Sequence, residues 1–106
     1  MNELSAVGVM SGSSLDGLDI CYCDYNYFES KWQFQNLNGE TIPFPRDIYG
    51  LLLKARDLSG EELAKLDVRL GMWMGQMIRD FCRRHDYLPQ IIGSHGHTVF
   101  HHPKQG

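Results

Sequence analysis

A chain of 106 residues, 42% hydrophobic and 22% charged, has the makeup of one folded soluble domain and not of a disordered segment. Its net charge of -3 and the absence of any long basic run weigh against a general nucleic-acid or membrane-surface binder. No apolar run approaches the roughly 20 residues of a membrane span, no basic leader precedes an apolar core, and three cysteines make a poor disulfide framework, so reduced thiols in a cytoplasm are the expectation.

Leu4 to Met10 is short and almost wholly apolar, which predicts a strand buried on both faces. Leu18 to Tyr25 alternates, with Leu18, Ile20 and Tyr22 on one side and Asp19, Cys21 and Cys23 on the other. Lys31 to Leu37 alternates again, Trp32 and Phe34 against Lys31, Gln33 and Gln35. With Asn26 to Ser30 as a turn, the three segments predict an antiparallel meander, and Asn38-Gly39 reads as a further turn.

Pro43 and Pro45 then interrupt the chain. Ile48, Leu51, Leu52 and Ala55 give a short amphipathic helix with Asp47 as its candidate cap. Ser59 and Glu62 have the spacing of a capping box. Behind them Leu63, Leu66, Leu70, Trp73, Met77 and Phe81 recur every three or four residues, which predicts a long helix. It ends near Arg83, Arg84 and His85, whose charge suits a helix C-terminus. Gly71 and Gly75 lower helix propensity and are expected to let the helix pack closely on a sheet.

Gln90 to Gly93 is a short apolar strand that follows a helix, so it is expected to run parallel to an earlier strand. The fold class is therefore α/β with a mixed sheet: three antiparallel strands, then helices and a parallel strand. The chain stops just past a strand expected near the middle of a larger sheet, which reads as a truncation. Open sheet edges would favour association, a homodimer included.

Two glycine-containing loops carry the chemistry. Between the first two strands, Gly12, Ser13, Ser14 and Gly17 supply backbone freedom, amide donors and hydroxyls, the components of a phosphate-binding nest. Asp16 and Asp19 cannot bind phosphate themselves, but they could hold a magnesium ion that bridges phosphate oxygens. The same residue types also make an ordinary polar hairpin turn. The stretch is not a Walker A loop, for it lacks Gly-Lys-Ser/Thr, and it is not a dinucleotide fingerprint, since a strand follows it.

The second loop, Ser94-His95-Gly96-His97-Thr98, lies just past the carboxyl end of a strand, where open α/β sheets bind ligands. If the first and fourth strands are parallel neighbours, both loops open on one cleft. His95, His97, His101 and His102 also invite a metal reading with Cys21 and Cys23 as co-ligands, but the usual zinc spacings are absent.

Met10 to Asp19 (MSGSSLDGLD) resembles the M-S-G-T-S-x-D-G-x-D signature of the anhydro-N-acetylmuramic acid kinases. Ile92 to Pro103 (IGSHGHTVFHHP) resembles their I-G-S-H-G-Q-T-V-x-H-x-P segment. Leu70-Gly71 on the intervening helix agrees, and the resemblance covers essentially the whole chain. It implies an actin-like ATPase fold built from ribonuclease-H-like halves, with residues 1–106 as the N-terminal part of the first domain.

It also implies ATP and Mg2+ as cofactors. The implied reaction opens 1,6-anhydro-N-acetylmuramic acid with water and phosphorylates it to N-acetylmuramic acid 6-phosphate, a step of peptidoglycan recycling. Gly12, Ser13, Ser14, Leu15, Asp16, Gly17, Leu18 and Asp19 fall on the family's ATP-phosphate segment. Ser94, His95, Gly96 and His97 fall on the sugar side of the cleft, and Asp16 and Asp19 are the candidate magnesium ligands.

Ser13 replaces the family's Thr and keeps its hydroxyl. His97 replaces Gln and adds a group that titrates. The family's general base, an aspartate, is expected beyond Gly106, so these residues alone should not turn over. The partners implied are the sugar and ATP, with no nucleic acid or membrane. Two other classes compete: a ribonuclease-H-like nuclease with Asp16 and Asp19 as two-metal ligands, which the acidic balance disfavours, and a non-enzymatic histidine-rich metal or interaction module.

Overall fold

The alternation of Leu18, Ile20 and Tyr22 against Asp19, Cys21 and Cys23 becomes a two-sided strand in the computed structural model, which describes residues 3–12, 15–97 and 99. Three strands, β1 (Glu3–Ser11), β2 (Leu18–Phe28) and β3 (Lys31–Ile42), lead into α1 (Arg46–Leu53) and a single 3-10 turn (Ala55–Asp57). Then come α2 (Gly60–His85) and β4 (Ile91–His97). β2 pairs antiparallel with both β1 and β3, while β4 returns parallel to β1, giving the sheet order β3-β2-β1-β4. The mixed α/β architecture expected from the sequence is the one observed.

The helices cover one face of the sheet. There Val7, Val9, Leu18, Ile20 and Tyr22 meet Ile48, Leu52, Leu66, Leu70, Met74 and Phe81 in one core. The other face is open. β1 is thus buried on one side only, contrary to the two-sided burial its apolar run suggested: Met10, on the outer side, is 46% exposed.

The β2–β3 hairpin corrects two further expectations. Its turn is Glu29-Ser30 alone, both with left-handed φ (52° and 62°), as a two-residue type I′ turn requires. The strand-favouring run Tyr25 to Phe28 continues β2 through most of the segment first assigned to the turn. Asn38-Gly39 is no turn either, for it lies within β3, opposite Tyr22 and Cys21.

Just before it the pairing shifts: Tyr22 faces Asn38 but Cys23 faces Asn36, so residue 37 is an extra one, a β-bulge. The bulge moves the alternating set to the other face. Glu40 and Ile42 share the side of Ile20 and Leu18, whereas Phe34 and Trp32 sit outside beside Tyr25 and Tyr27, with ring centroids 6.2 Å and 5.1 Å apart.

In α1, Pro45 occupies the cap position and Asp47 lies inside the first turn, paired with Arg69 of α2, so Asp47 is not the cap. The capping box of α2 forms as expected. The Ser59 hydroxyl accepts from the Glu62 amide and the Glu62 carboxylate from the Ser59 amide, both at 3.1 Å, an arrangement that contributes about 1 kcal/mol.

At its far end α2 is tied to the hairpin. Asp86 turns left-handed (φ 58°), Tyr87 folds back to stack on Tyr22 at 3.8 Å, and the Asn38 amide donates to His85 at 3.0 Å. Arg84 donates to Glu40 at 3.2 Å. Midway the helix stands off. A Cβ on Gly71 or Gly75 would meet nothing within 4 Å, so these glycines do not serve close packing against this sheet. They border a cavity of about 740 Å³ between α2 and β4, shared with Val9, Leu70, Met74 and Ser94.

Candidate active site

β1 and β4 are parallel neighbours, so the loops that follow them open at the same end of the sheet. A second cavity of about 570 Å³ lies there, and its lining joins Gly12 and Leu15 of the loop after β1 to His95 and His97, which lie not in a loop, as the sequence suggested, but in β4, because the strand runs on through Ser94–His97 along β1. Met10, Leu52 and Arg56 also border it. This convergence was conditional in the sequence and is a fact of the fold.

In the β1–β2 loop the Leu15 amide donates to the Gly12 carbonyl at 3.2 Å, and Leu15 itself has a left-handed φ of 59°. Gly17, with φ 143°, is buried against the end of β3, where a side chain would collide with the Ile42 backbone. Its lack of a Cβ therefore serves the fold.

Asp16 is exposed, free to reach a cation or solvent. Asp19 is exposed on the outer face, and its Oδ1 accepts from the Thr41 hydroxyl at 2.6 Å. One hydrogen bond orients a carboxylate without exhausting its acceptor capacity. Leu18 is fully buried in the core, so only its backbone faces the loop's chemistry. Ser13 and Ser14 lie outside the described residues.

Along the end of β4, Ser94 and His95 are exposed, and Gly96 and His97 half-buried. His95 lies on the outer face, where it borders a shallow hollow with Met10, Asp19 and Cys21. His97 turns to the helix side. Its Nδ1 lies 2.8 Å from the hydroxyl of Ser11, the one fully buried polar side chain among the described residues. A buried hydroxyl left without a partner costs about 1–3 kcal/mol, so the contact holds the ends of β1 and β4 together. Desolvation pushes the His97 pKa below its ordinary 6.5, while a hydrogen bond with the Ser11 backbone pulls the other way.

Ser11 and Arg56 escaped the sequence reading. Ser11 was findable: it follows Val7 and Val9 on the buried side of β1, a hydroxyl ending an apolar row. Arg56 was not, because only the tertiary fold brings the turn after α1 to the cleft. No ion pair engages Arg56 among the described residues, and its charge suits an anionic ligand.

For a nucleotide, the donor chemistry is present in part. The loop offers backbone amides in a left-handed bend and Arg56 offers a cation, while Asp16 and Asp19 are oxygen donors of the kind magnesium takes. Among the described residues no three His, Cys, Asp or Glu side chains converge as a ready metal cage. Magnesium in phosphoryl-transfer sites commonly uses one or two carboxylates with phosphate and water, but neither Asp16 nor Asp19 is among the residues lining the shared cavity. Cys21, Cys23 and Cys82 are free thiols. His101 and His102 lie outside the described residues.

The family model described as anhydro-N-acetylmuramic acid kinase matches residues 4–106. The chain is 33% identical over 106 residues to a protein of that name from Acaryochloris marina, covering 97% of this chain and 28% of that one. It is 37% identical over 103 residues to a namesake from Actinobacillus pleuropneumoniae serotype 7 (92% and 27%). A third, from Bacillus thuringiensis subsp. konkukian, is 31% identical over 105 residues (93% and 28%). The chain thus spans little more than a quarter of the length of the curated relatives it matches.

Proposed function

Because the chain belongs to the anhydro-N-acetylmuramic acid kinase family, we propose that it forms the N-terminal part of the first actin-like domain of a sugar kinase. That kinase uses ATP and Mg2+ to open 1,6-anhydro-N-acetylmuramic acid with water and to phosphorylate the 6-oxygen, yielding N-acetylmuramic acid 6-phosphate for peptidoglycan recycling. The sheet order β3-β2-β1-β4 with a helix crossing to a parallel strand fits the opening portion of a ribonuclease-H-like half.

The observation that carries the proposal is the meeting of Gly12 and Leu15 with His95 and His97 around one cavity. In this reading the Gly12–Asp19 segment, Ser13 and Ser14 included, binds the ATP phosphates. Asp16 and Asp19 hold magnesium, which neutralises phosphate charge, and Ser94 to His97 address sugar hydroxyls. The general base, an aspartate that activates the attacking water, belongs to a part of the kinase outside this chain, so the 106 residues alone do not turn over. Its partners are small molecules, with no nucleic acid or membrane among them, and its place is the cytoplasm. No helix among the described residues is long and apolar enough to cross a membrane.

The test is ATP affinity and turnover with the anhydro sugar, in a kinase of full family length that carries this segment. Asp16→Asn combined with Gly12→Val should weaken ATP at least about tenfold, or about 1.4 kcal/mol, with the fold intact by circular dichroism. Unchanged ATP affinity would remove the phosphate-seat assignment. Failure to phosphorylate the anhydro sugar in the unmodified kinase would remove the substrate.

A further inference from the structure

We infer that Ser11 and His97 are positioning residues that lock the ends of β1 and β4 into one unit, so that the end of β4 sets the shape of the proposed phosphate loop. The inference rests on the reading of the Gly12–Asp19 segment as that loop. Three observations carry it.

The first is the ladder. Val9 faces Ser94, yet Ser11 faces His97, so three steps along β4 match two along β1. That irregularity is a bulge, and Gly96 makes it possible with a φ of 78°, its amide donating to the Ser94 hydroxyl at 3.2 Å. In an unbroken register residue 96 would stand opposite Ser11, and it is a glycine. The extra residue aims an imidazole at the hydroxyl instead.

The second is burial. The Ser11 side chain is 0% exposed, and its hydrogen bond to His97 Nδ1 spans 86 positions of sequence at 2.8 Å. A hydroxyl enclosed in this way can take few orientations, so the bond is directional and fixes both strand ends.

The third is placement. Ser11 is bonded covalently to Gly12, whose carbonyl accepts the Leu15 amide and so starts the loop. His97 borders both the cavity under α2 and the cavity that Gly12 and Leu15 line. A displacement of the end of β4 is therefore passed to Gly12 through one hydrogen bond.

The experiment is amide hydrogen exchange by NMR on the 106-residue chain, reading Leu15 in the loop against Ile20 and Cys21 in β2 as internal controls. Ser11→Ala and His97→Leu should each speed exchange at Leu15 at least about tenfold over the controls, about 1.4 kcal/mol of local opening. The double variant should exchange no faster than either single one, since both remove the same bond. His97→Gln, whose amide can also bond the hydroxyl, should restore slow exchange.

If Leu15 keeps its protection in His97→Leu, or if Gln fails to rescue while the β2 controls stay protected, the inference is overturned. If a variant loosens β2 and Leu15 equally, the effect is global and also counts against it. A parallel measurement of ATP affinity in the longer kinase separates the two claims. Faster loop exchange with unchanged ATP affinity upholds the lock and removes the phosphate reading.

Discussion

Gly17 packs directly against Ile42: a Cβ on residue 17 would strike the Ile42 carbonyl oxygen and lie 3.2 Å from the Pro43 α-carbon. The loop after β1 and the end of β3 are thus seated on each other through a bare backbone. With φ at 143°, an L side chain is also strained there whatever the space. Gly17→Ala should cost at least about 2 kcal/mol of stability, read as a lower urea midpoint with an unchanged m-value. A loss below about 0.5 kcal/mol would mean that the β1–β2 loop simply shifts aside.

The opposite sign is expected on α2. Gly71 and Gly75 are exposed helical positions with no neighbour within 4 Å of an added Cβ. Alanine removes the entropic cost of glycine in a helix, so Gly71→Ala and Gly75→Ala should each stabilise the 106-residue chain by about 0.5–1 kcal/mol. Thermal unfolding decides it, and a destabilised variant would show that the helix closes onto β4 in solution.

Acid should weaken the lower-pKa histidine site first. Desolvation depresses His97 in the folded state below its ordinary 6.5. Above that value the imidazole is neutral in both states and its contribution is complete. As pH falls through 6.5 towards the depressed folded value the unfolded chain takes the proton first, so stability drops. The melting temperature of the chain should decline as pH falls below the ordinary 6.5, and His97→Gln should flatten that slope. The carboxyl of Glu40, held down by Arg84, adds a separate stabilising contribution, fully present above its ordinary 4.5 and lost as pH falls through its depressed folded value. An identical slope in His97→Gln would assign the upper phase to another group.

Two thiols should resist alkylation. Burial raises Cys23, with Cys21 beside it adding to the shift, and burial alone raises Cys82, both from an ordinary 9.0. Because the thiolate is the reactive form, iodoacetamide near neutral pH should modify both slowly in the native chain and at the ordinary rate in urea. Mass spectrometry of a short labelling pulse gives the comparison, and rapid native labelling of Cys82 would show that its end of α2 opens.

Period-two and period-three-to-four patterns made the strand faces and the long helix legible, as Leu18, Ile20 and Tyr22 on β2 and the Ser59–Glu62 cap show. Those signals are local, and so is the chemistry of the two glycine loops. What the sequence concealed depends on long-range pairing. Whether residue 37 or Gly96 becomes a bulge is decided by the partner strand, and each bulge reverses which side chains share a face. Trp32 and Phe34 end outside for that reason, and His97 ends against Ser11. Arg56 at the cleft depends on how α1 docks, which no short window encodes. The helix glycines misled because no element packs within 4 Å of where their side chains would be.

Residue 37 therefore works like a switch in the reading frame of the hairpin's decoration. Excising it would join Asn36 to Asn38 and leave the pairs as they are, Cys23 with Asn36 and Tyr25 with Phe34, so Trp32 and Phe34 would keep the open side; drawing residue 37 into the ladder opposite Cys23 would instead swing them to the helix side. A one-residue slip of the pairing, and not the loss of the residue, is what would strip the outer aromatic ladder from this end of the molecule.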